Sequence, residues 1–249
     1  MKLNAYIQKK MHGFTIDLSF CCQPGELLAL VGPSGAGKTT IIRMLAGLEQ
    51  PDKATITNGN TVWLDTKQGI ELSPGKRKLG YVFQEFSLFP HLNVEKNVAF
   101  GTKNQERVES LLRLFGIHHL RKRAIKHISG GERQRTALAQ ALAPNPRVLL
   151  LDEPFSALDP ITRKKMRTDL ARHKNMLHIP IILVTHDLEE AHFLADTIVP
   201  VVEGKHAPLW PELCPSSVRD DTSKSGFSPF DMETSNLGPF PTNPILPTP

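Results

Sequence analysis

The chain is short of cysteine and aromatic residues and has no long apolar run. Each shortage removes a class of function. Its 249 residues include three cysteines, Cys21, Cys22 and Cys214, too few for a disulfide framework or a thiolate metal site. The adjacent pair is expected to fill space near a strand, consistent with a reducing compartment. No apolar stretch approaches the ~20 residues that a membrane-spanning helix needs. Met1-Lys2-Leu3-Asn4 leads into mixed polar sequence rather than a signal peptide. A soluble chain is therefore expected. Aromatics make up 6% of the chain, and no stacking platform interleaves with the basic runs Lys76-Arg77-Lys78, Arg121-Lys122-Arg123 and Arg163-Lys164-Lys165. The net charge of +5 thus reads as mostly solvated faces, and no nucleic-acid partner is expected.

What is present is phosphate chemistry. Gly32-Pro33-Ser34-Gly35-Ala36-Gly37-Lys38-Thr39 fits G-x-x-x-x-G-K-[ST] without departure, and Thr40 follows it. The apolar run 27–31 before it reads as a buried parallel strand. Residues 39–47 read as a helix with apolar Ile41, Ile42, Leu45 and Ala46, stopped by Gly47. The glycines let backbone N–H groups turn inward around phosphates. Lys38 is expected to reach the β- and γ-phosphates, and the Thr39 hydroxyl to ligate Mg²⁺.

A second strand, Arg147-Val148-Leu149-Leu150-Leu151-Asp152-Glu153-Pro154, ends in two carboxylates. Ligands of open α/β sheets bind at such ends. Asp152 is placed to hold Mg²⁺, directly or through water. Glu153 is placed to polarise the attacking water. An ordinary charged strand end is the plainer reading of that pair alone; the phosphate loop shifts the balance.

Between these two elements stands Ile128-Ser129-Gly130-Gly131-Glu132-Arg133-Gln134-Arg135. It resembles the signature motif of ATP-binding cassette (ABC) ATPases, usually written Leu-Ser-Gly-Gly-Gln. Ser129, Gly130, Gly131 and Glu132 stand at a helix start, where N–H donors and the dipole favour an anion. A site with its own phosphate loop has no use for a second one. The resemblance therefore implies that these residues cap the nucleotide of another copy, in an ATP-sandwich dimer. Glu132-Arg133 departs from the two glutamines often found there, and Glu132 can still position hydrogen bonds.

Further residues follow the same family order. Gln84 resembles the glutamine that contacts Mg²⁺ and water and faces the transport partner. Ser156-Ala157-Leu158-Asp159 resembles the loop that crosses the dimer interface. His186, after the apolar run 181–185, resembles the switch histidine that hydrogen-bonds the γ-phosphate. The likeness spans about residues 1–205. It implies an α/β fold: a P-loop NTPase parallel-sheet core, an N-terminal antiparallel β part and an inserted helical subdomain at about 85–145. Within that insertion, residues 93–100, 104–115 and 130–142 carry helical apolar spacing. The adenine-stacking residue is left open among Tyr6, His12 and Phe14. Strict alternation over 14–20 makes Phe14 core-facing.

Residues 206–249 read as an irregular Pro-rich tail, with seven of the chain's twenty prolines from Pro215 onward. They leave no room for the β-rich regulatory domain that many importer ATPases carry. The implied cofactors are ATP and Mg²⁺. The implied partners are a second copy, integral membrane permease subunits and, indirectly, a substrate-binding protein, at the cytoplasmic face of the inner membrane. The apolar residues 86–92 beside Gln84 are the candidate permease contact. Residues 65–84 and Phe89-Pro90-His91-Leu92 most resemble the ATPases of molybdate and tungstate importers. Sulfate, polyamine and iron importer ATPases share much of this stretch.

Overall fold

Strand patterning separates the molecule into two sheets. A computed structural model describes residues 1–85 and 87–207. Its elements run β1 (Leu3–Lys10), β2 (Thr15–Cys22), β3 (Leu27–Val31), α1 (Lys38–Ala46), β4 (Lys53–Asn58), β5 (Thr61–Asp65), β6 (Ile70–Glu71) and β7 (Leu79–Val82). Then follow α2 (Val94–Ala99), α3 (Gln105–Leu114), α4 (Gly130–Leu142), β8 (Val148–Asp152), α5 (Pro160–Leu177) and β9 (Ile181–Thr185). The described part closes with α6 (Leu188–Leu194), β10 (Thr197–Val202) and β11 (Lys205–His206).

Strands whose polar residues alternate with apolar ones form the antiparallel sheet, ordered β2-β1-β4-β5-β6. In β2, Ile16, Leu18, Phe20 and Cys22 are buried while Asp17 and Ser19 are exposed, as one covered face requires. Strands that are apolar throughout form the second sheet, ordered β11-β10-β3-β9-β8-β7. Its pairs are parallel except for the terminal β10–β11 hairpin.

The pleat explains why β3, β8 and β9 are buried at every position. Leu27, Ala29, Val31, Leu149, Leu151, Ile181 and Leu183 point into a core shared with residues of α2 to α6. Leu28, Leu30, Val148, Leu150, Ile182 and Val184 point the other way, into a core shared with α1 and the antiparallel sheet. The architecture is the one expected, a P-loop α/β core with an antiparallel β part and a helical segment between β7 and β8.

The inserted helices start where short polar side chains cap them. Asn93 accepts from the Lys96 N–H, Asn104 from the Arg107 N–H, and Ser129 from the Glu132 N–H. Asn97, wholly buried in α2, ties down the preceding loop. Its Oδ1 accepts from Phe89 N at 2.8 Å, and its Nδ2 donates to the carbonyls of Phe89, Leu92 and Asn93.

Three readings need correction. The basic runs are not uniformly solvated. Arg77 is 2% exposed and donates to the carbonyls of Leu72, Met44 and Leu45 at 2.7–2.9 Å. A cation there complements the C-terminal end of α1, whose last carbonyls lack helical partners. Gly47 makes room for it at φ +75; a Cβ would stand 2.8 Å from Arg77 Cζ. Second, β2 begins at Thr15 rather than at residue 14, while Phe14 packs against the core as its spacing implies. It is half-buried, and its ring lies 3.4 Å from where a Cβ on Gly37 would stand. Third, His206, placed in the tail, pairs with Val201 in the β10–β11 hairpin. Phe86, Cys214 and the Pro-rich residues 208–249 lie outside the described residues. Cys21 and Cys22 end β2, and burial pushes the Cys22 thiol up to about 12.

Candidate functional site

The site lies at the C-terminal ends of β3, β7, β8 and β9. The turn after β3 is built by glycines that nothing else could replace. A Cβ on Gly32 would stand 2.0 Å from the carbonyl oxygen of Val201, and Gly35 and Gly37 adopt φ +83 and +92. Pro33, Ser34 and Gly35 are exposed at the tip, Ala36 is buried, and Gly37 caps α1. The Lys38 Nζ donates to the carbonyls of Gly32 and Pro33, each at 2.8 Å, so the cation sits within the loop. Burial lowers its pKa from the ordinary value, and Glu153 and Asp152 oppose that shift. Thr39 and Thr40 form the first turn of α1.

Two strands bring Asp152 to this loop. Its Oδ1 accepts from Thr39 Oγ1 at 3.1 Å, and its Oδ2 accepts from Tyr81 Oη at 3.1 Å. Burial raises its pKa above the usual carboxylate range, while these two hydrogen bonds pull it back. The Asp152 carboxylate is thus oriented at both oxygens.

Glu153 is the next residue and leaves the sheet abruptly. Its φ is +46, a left-handed conformation that costs a non-glycine residue about 1–3 kcal/mol. The turn is held by Glu153 N donating to the Val184 carbonyl at 2.9 Å and by Ser156 Oγ donating to the Glu153 carbonyl at 2.9 Å. Its Oε2 lies 3.3 Å from His186 Nδ1 and 3.5 Å from Gln84 Nε2. Gln84, expected to act on water, and His186, expected to bond the γ-phosphate, therefore meet at one carboxylate oxygen of Glu153, the three residues coming from three different strand ends.

The other glycine element stands apart from this cluster. Ser129 N and Oγ donate to Glu132 Oε2 at 2.7 and 2.9 Å, and the Glu132 N–H returns to Ser129 Oγ at 3.3 Å. This is a capping box with Glu132 in the role that glutamine fills equally well. The Ser129 N–H holds the Glu132 carboxyl below its ordinary value. A Cβ on Gly131 would clash with Thr162 Cγ2 at 2.8 Å, and one on Gly130 would press on the Leu158 methyl at 3.2 Å. Asp159 caps α5 through the Thr162 N–H. Among the described residues, none of Ser129, Gly130, Gly131, Glu132 and Asp159 shares a hydrogen bond with residues 32–40.

Tyr81 is the site residue that sequence reasoning missed. Its place beside Asp152 depends on β7 pairing with β8, which no local pattern announces.

Residues 16–156 match the model of the ABC transporter family. The sulfate/thiosulfate import ATP-binding protein of Synechocystis sp. is 43% identical over 209 residues, 80% of this chain and 57% of that protein. The molybdenum import ATP-binding protein of Paramagnetospirillum magneticum is 41% identical over 215 residues, 84% of this chain and 59% of that protein. The spermidine/putrescine import ATP-binding protein of Bacillus thuringiensis is 46% identical over 195 residues, 75% of this chain and 58% of that protein. The chain spans about three-fifths of the length of these curated relatives. A solved dimeric ATP-binding cassette, in a post-hydrolysis state bound to ADP and Pi, superposes with a TM-score of 0.66. It is 28% identical, and the match covers 83% of this chain and 96% of that one. With a family match over more than half its length, and a phosphate loop, an Asp-Glu strand end and a capped glycine helix arranged on this sheet, the chain belongs to the ABC transporter family of ATP-binding domains.

Proposed function

We propose that this chain is the ATP-hydrolysing motor subunit of an ABC importer. It would work as an ATP-sandwich homodimer on the cytoplasmic face of a membrane, against permease subunits that receive cargo from a substrate-binding protein. The observation that carries the reading is Glu153 Oε2, reached at once by His186 Nδ1 and Gln84 Nε2 beside the Asp152–Thr39 pair.

The residues suit a magnesium nucleotide. Gly32, Ser34, Gly35, Ala36 and Gly37 offer backbone N–H groups to phosphate oxygens, Pro33 shapes the turn without an N–H of its own, and Lys38 offers its ammonium. Thr39, Asp152 and Gln84 are oxygen donors too few to cage a cation alone, the pattern of a Mg²⁺ site completed by phosphate oxygens. Bound Mg²⁺ would neutralise charge on the terminal phosphates. Glu153 takes the proton of the attacking water, Gln84 orients that water, and His186 donates to the departing γ-phosphoryl group. Ser129, Gly130, Gly131 and Glu132 complete the phosphate shell of the partner copy, with Asp159 on the crossing loop.

No helix of the described residues is long and apolar enough to cross a membrane, and the motor reading assigns the passage to permease subunits. Their contact is the apolar surface near Gln84, where Phe100 is 65% exposed and stacks on Phe89 at 4.2 Å. The cargo favoured is molybdate or tungstate, on the likeness of residues 65–84. Relatives named for sulfate/thiosulfate and spermidine/putrescine import are 43% and 46% identical, so sulfate or polyamine is the second reading. Purified chain is expected to hydrolyse ATP only with Mg²⁺, and Glu153→Gln to bind ATP while losing turnover. Near-normal turnover of that variant overturns the role of Glu153. Co-purification with a permease, followed by uptake of labelled molybdate, sulfate or spermidine, separates the cargoes.

A further inference from the structure

The loop 156–159 and His186 lie on different elements, yet one group of hydrogen bonds and charge pairs links them. Asp187, next to His186, uses its two carboxylate oxygens differently. Oδ1 accepts from Glu190 N at 3.0 Å and caps α6. Oδ2 accepts from Arg167 Nη2 at 2.5 Å, and Arg163 Nη1 lies 4.0 Å from the same oxygen. Both arginines belong to α5, the helix that Asp159 caps. Arg163 also reaches back: its Nη2 donates to the carbonyl of Leu158 at 3.1 Å. The Asp187 N–H donates to Thr185 Oγ1 at 3.1 Å, so the peptide that follows His186 is held.

Helix capping needs one oxygen, and asparagine supplies it as well as aspartate. The second oxygen and its arginines are therefore surplus to capping. The side chain of Arg167 is 13% exposed, and that of Glu190, 3.7 Å from Arg167, is 5% exposed, so solvent screens this group weakly. Glu190 Oε1 and the Nε atoms of Arg163 and Arg167 are buried and make no hydrogen bond among the described residues. The group thus holds more donors and acceptors than its present hydrogen bonds use.

We propose that Asp187, clamped by Arg167 and Arg163, is the positioning residue of His186 and ties its ring to the loop 156–159. When that loop moves, α5 carries its arginines with it, and the clamp moves the histidine toward or away from Glu153. This rests on the ATPase reading above.

The test uses the full chain, with parent ATPase activity measured first. Asp187→Asn keeps the cap and removes the clamp. Its kcat is expected to fall about tenfold with KM for ATP changed less than about threefold, as for a residue that couples rather than binds. Arg167→Met should do the same, Arg167→Lys should restore most of the loss, and the double variant Asp187→Asn with Arg167→Met should be no worse than either alone. A nitrogen-15 histidine spectrum, with His186 assigned through His186→Ala, should show its ring resonances displaced in Asp187→Asn. Loss of melting temperature with kcat unchanged, or fully additive effects, overturns the proposal. An inactive parent overturns the ATPase reading instead, and an undisplaced His186 resonance overturns the clamp whatever the activity.

Discussion

The phenol of Tyr81 donates to Asp152 Oδ2 at 3.1 Å, opposite the Thr39 hydroxyl on Oδ1. Burial, then the charge of Asp152, push the Tyr81 phenol far above its usual range, so it stays a donor at every working pH. Tyr81→Phe removes the donor and keeps the ring. A hydrogen bond to a charged group contributes about 2 kcal/mol. The Mg²⁺ concentration giving half-maximal ATPase is therefore expected to rise by up to about thirtyfold, with Lys38-dependent nucleotide binding little changed. A magnesium titration of both proteins checks this; superimposable curves refute it.

Glu190 is 4% exposed, and burial pushes its carboxyl from 4.5 to about 7, opposed by Arg167 and Arg163 and aided by Asp187. A carboxyl raised in the folded state holds its proton more tightly there than in the unfolded chain. Its contribution is complete below the unfolded value and is lost as pH rises through the folded one. Glu190→Gln has no such loss. Its stability relative to the parent should grow by roughly 2 to 3 kcal/mol from pH 5 to pH 8. Urea melts at both values read this directly, and a difference independent of pH contradicts it.

Removing Arg77 should unfold the corner where α1 ends. Arg77→Leu removes the guanidinium from the carbonyls of Leu72, Met44 and Leu45 in a buried space, where Met44 keeps the Gly47 N–H as a second donor. The cost is about 3 kcal/mol. In a domain of this size the melting temperature should fall by roughly 6–12 °C. A fall under about 2 °C would mean that other donors replace the guanidinium.

Ser129→Arg tests the dimer. Glu153→Gln protein given ATP without Mg²⁺ should move from monomer to dimer in light scattering. The added arginine should abolish the shift, because a long side chain would occupy the space of the opposing phosphate. Dimer formation by Ser129→Arg removes Ser129 from the interface.

Phe89 and Phe100 test the permease contact. Phe100 is too exposed to be core, and Phe89 is half-buried against it. Phe89→Ser with Phe100→Ser should weaken assembly with the membrane subunit, each ring contributing about 2 kcal/mol as an interface anchor, and spare most of the isolated ATPase. If the double variant melts early instead, the rings serve the helical segment.

The parts of this protein that its sequence determined are local. The phosphate loop, the apolar strands before Gly32, Glu153 and His186, and the caps Asn93, Asn104 and Ser129 each depend on hydrogen bonds or steric limits spanning a few residues. A short window therefore contains their whole cause. Tertiary structure decided the rest. Arg77 and Arg163 read as members of solvated basic runs, because nothing nearby in the chain reveals a carbonyl 32 or 33 residues back or a carboxylate on the next helix. Tyr81 read as an ordinary strand residue until β7 was placed beside β8. The positive φ of Glu153 follows from where the chain must turn after a buried strand, held by Val184 and Ser156 from neighbouring segments. Buried polar groups must find partners wherever the fold brings them, so long-range pairs are set by sheet order and helix packing and leave no periodic trace in the sequence.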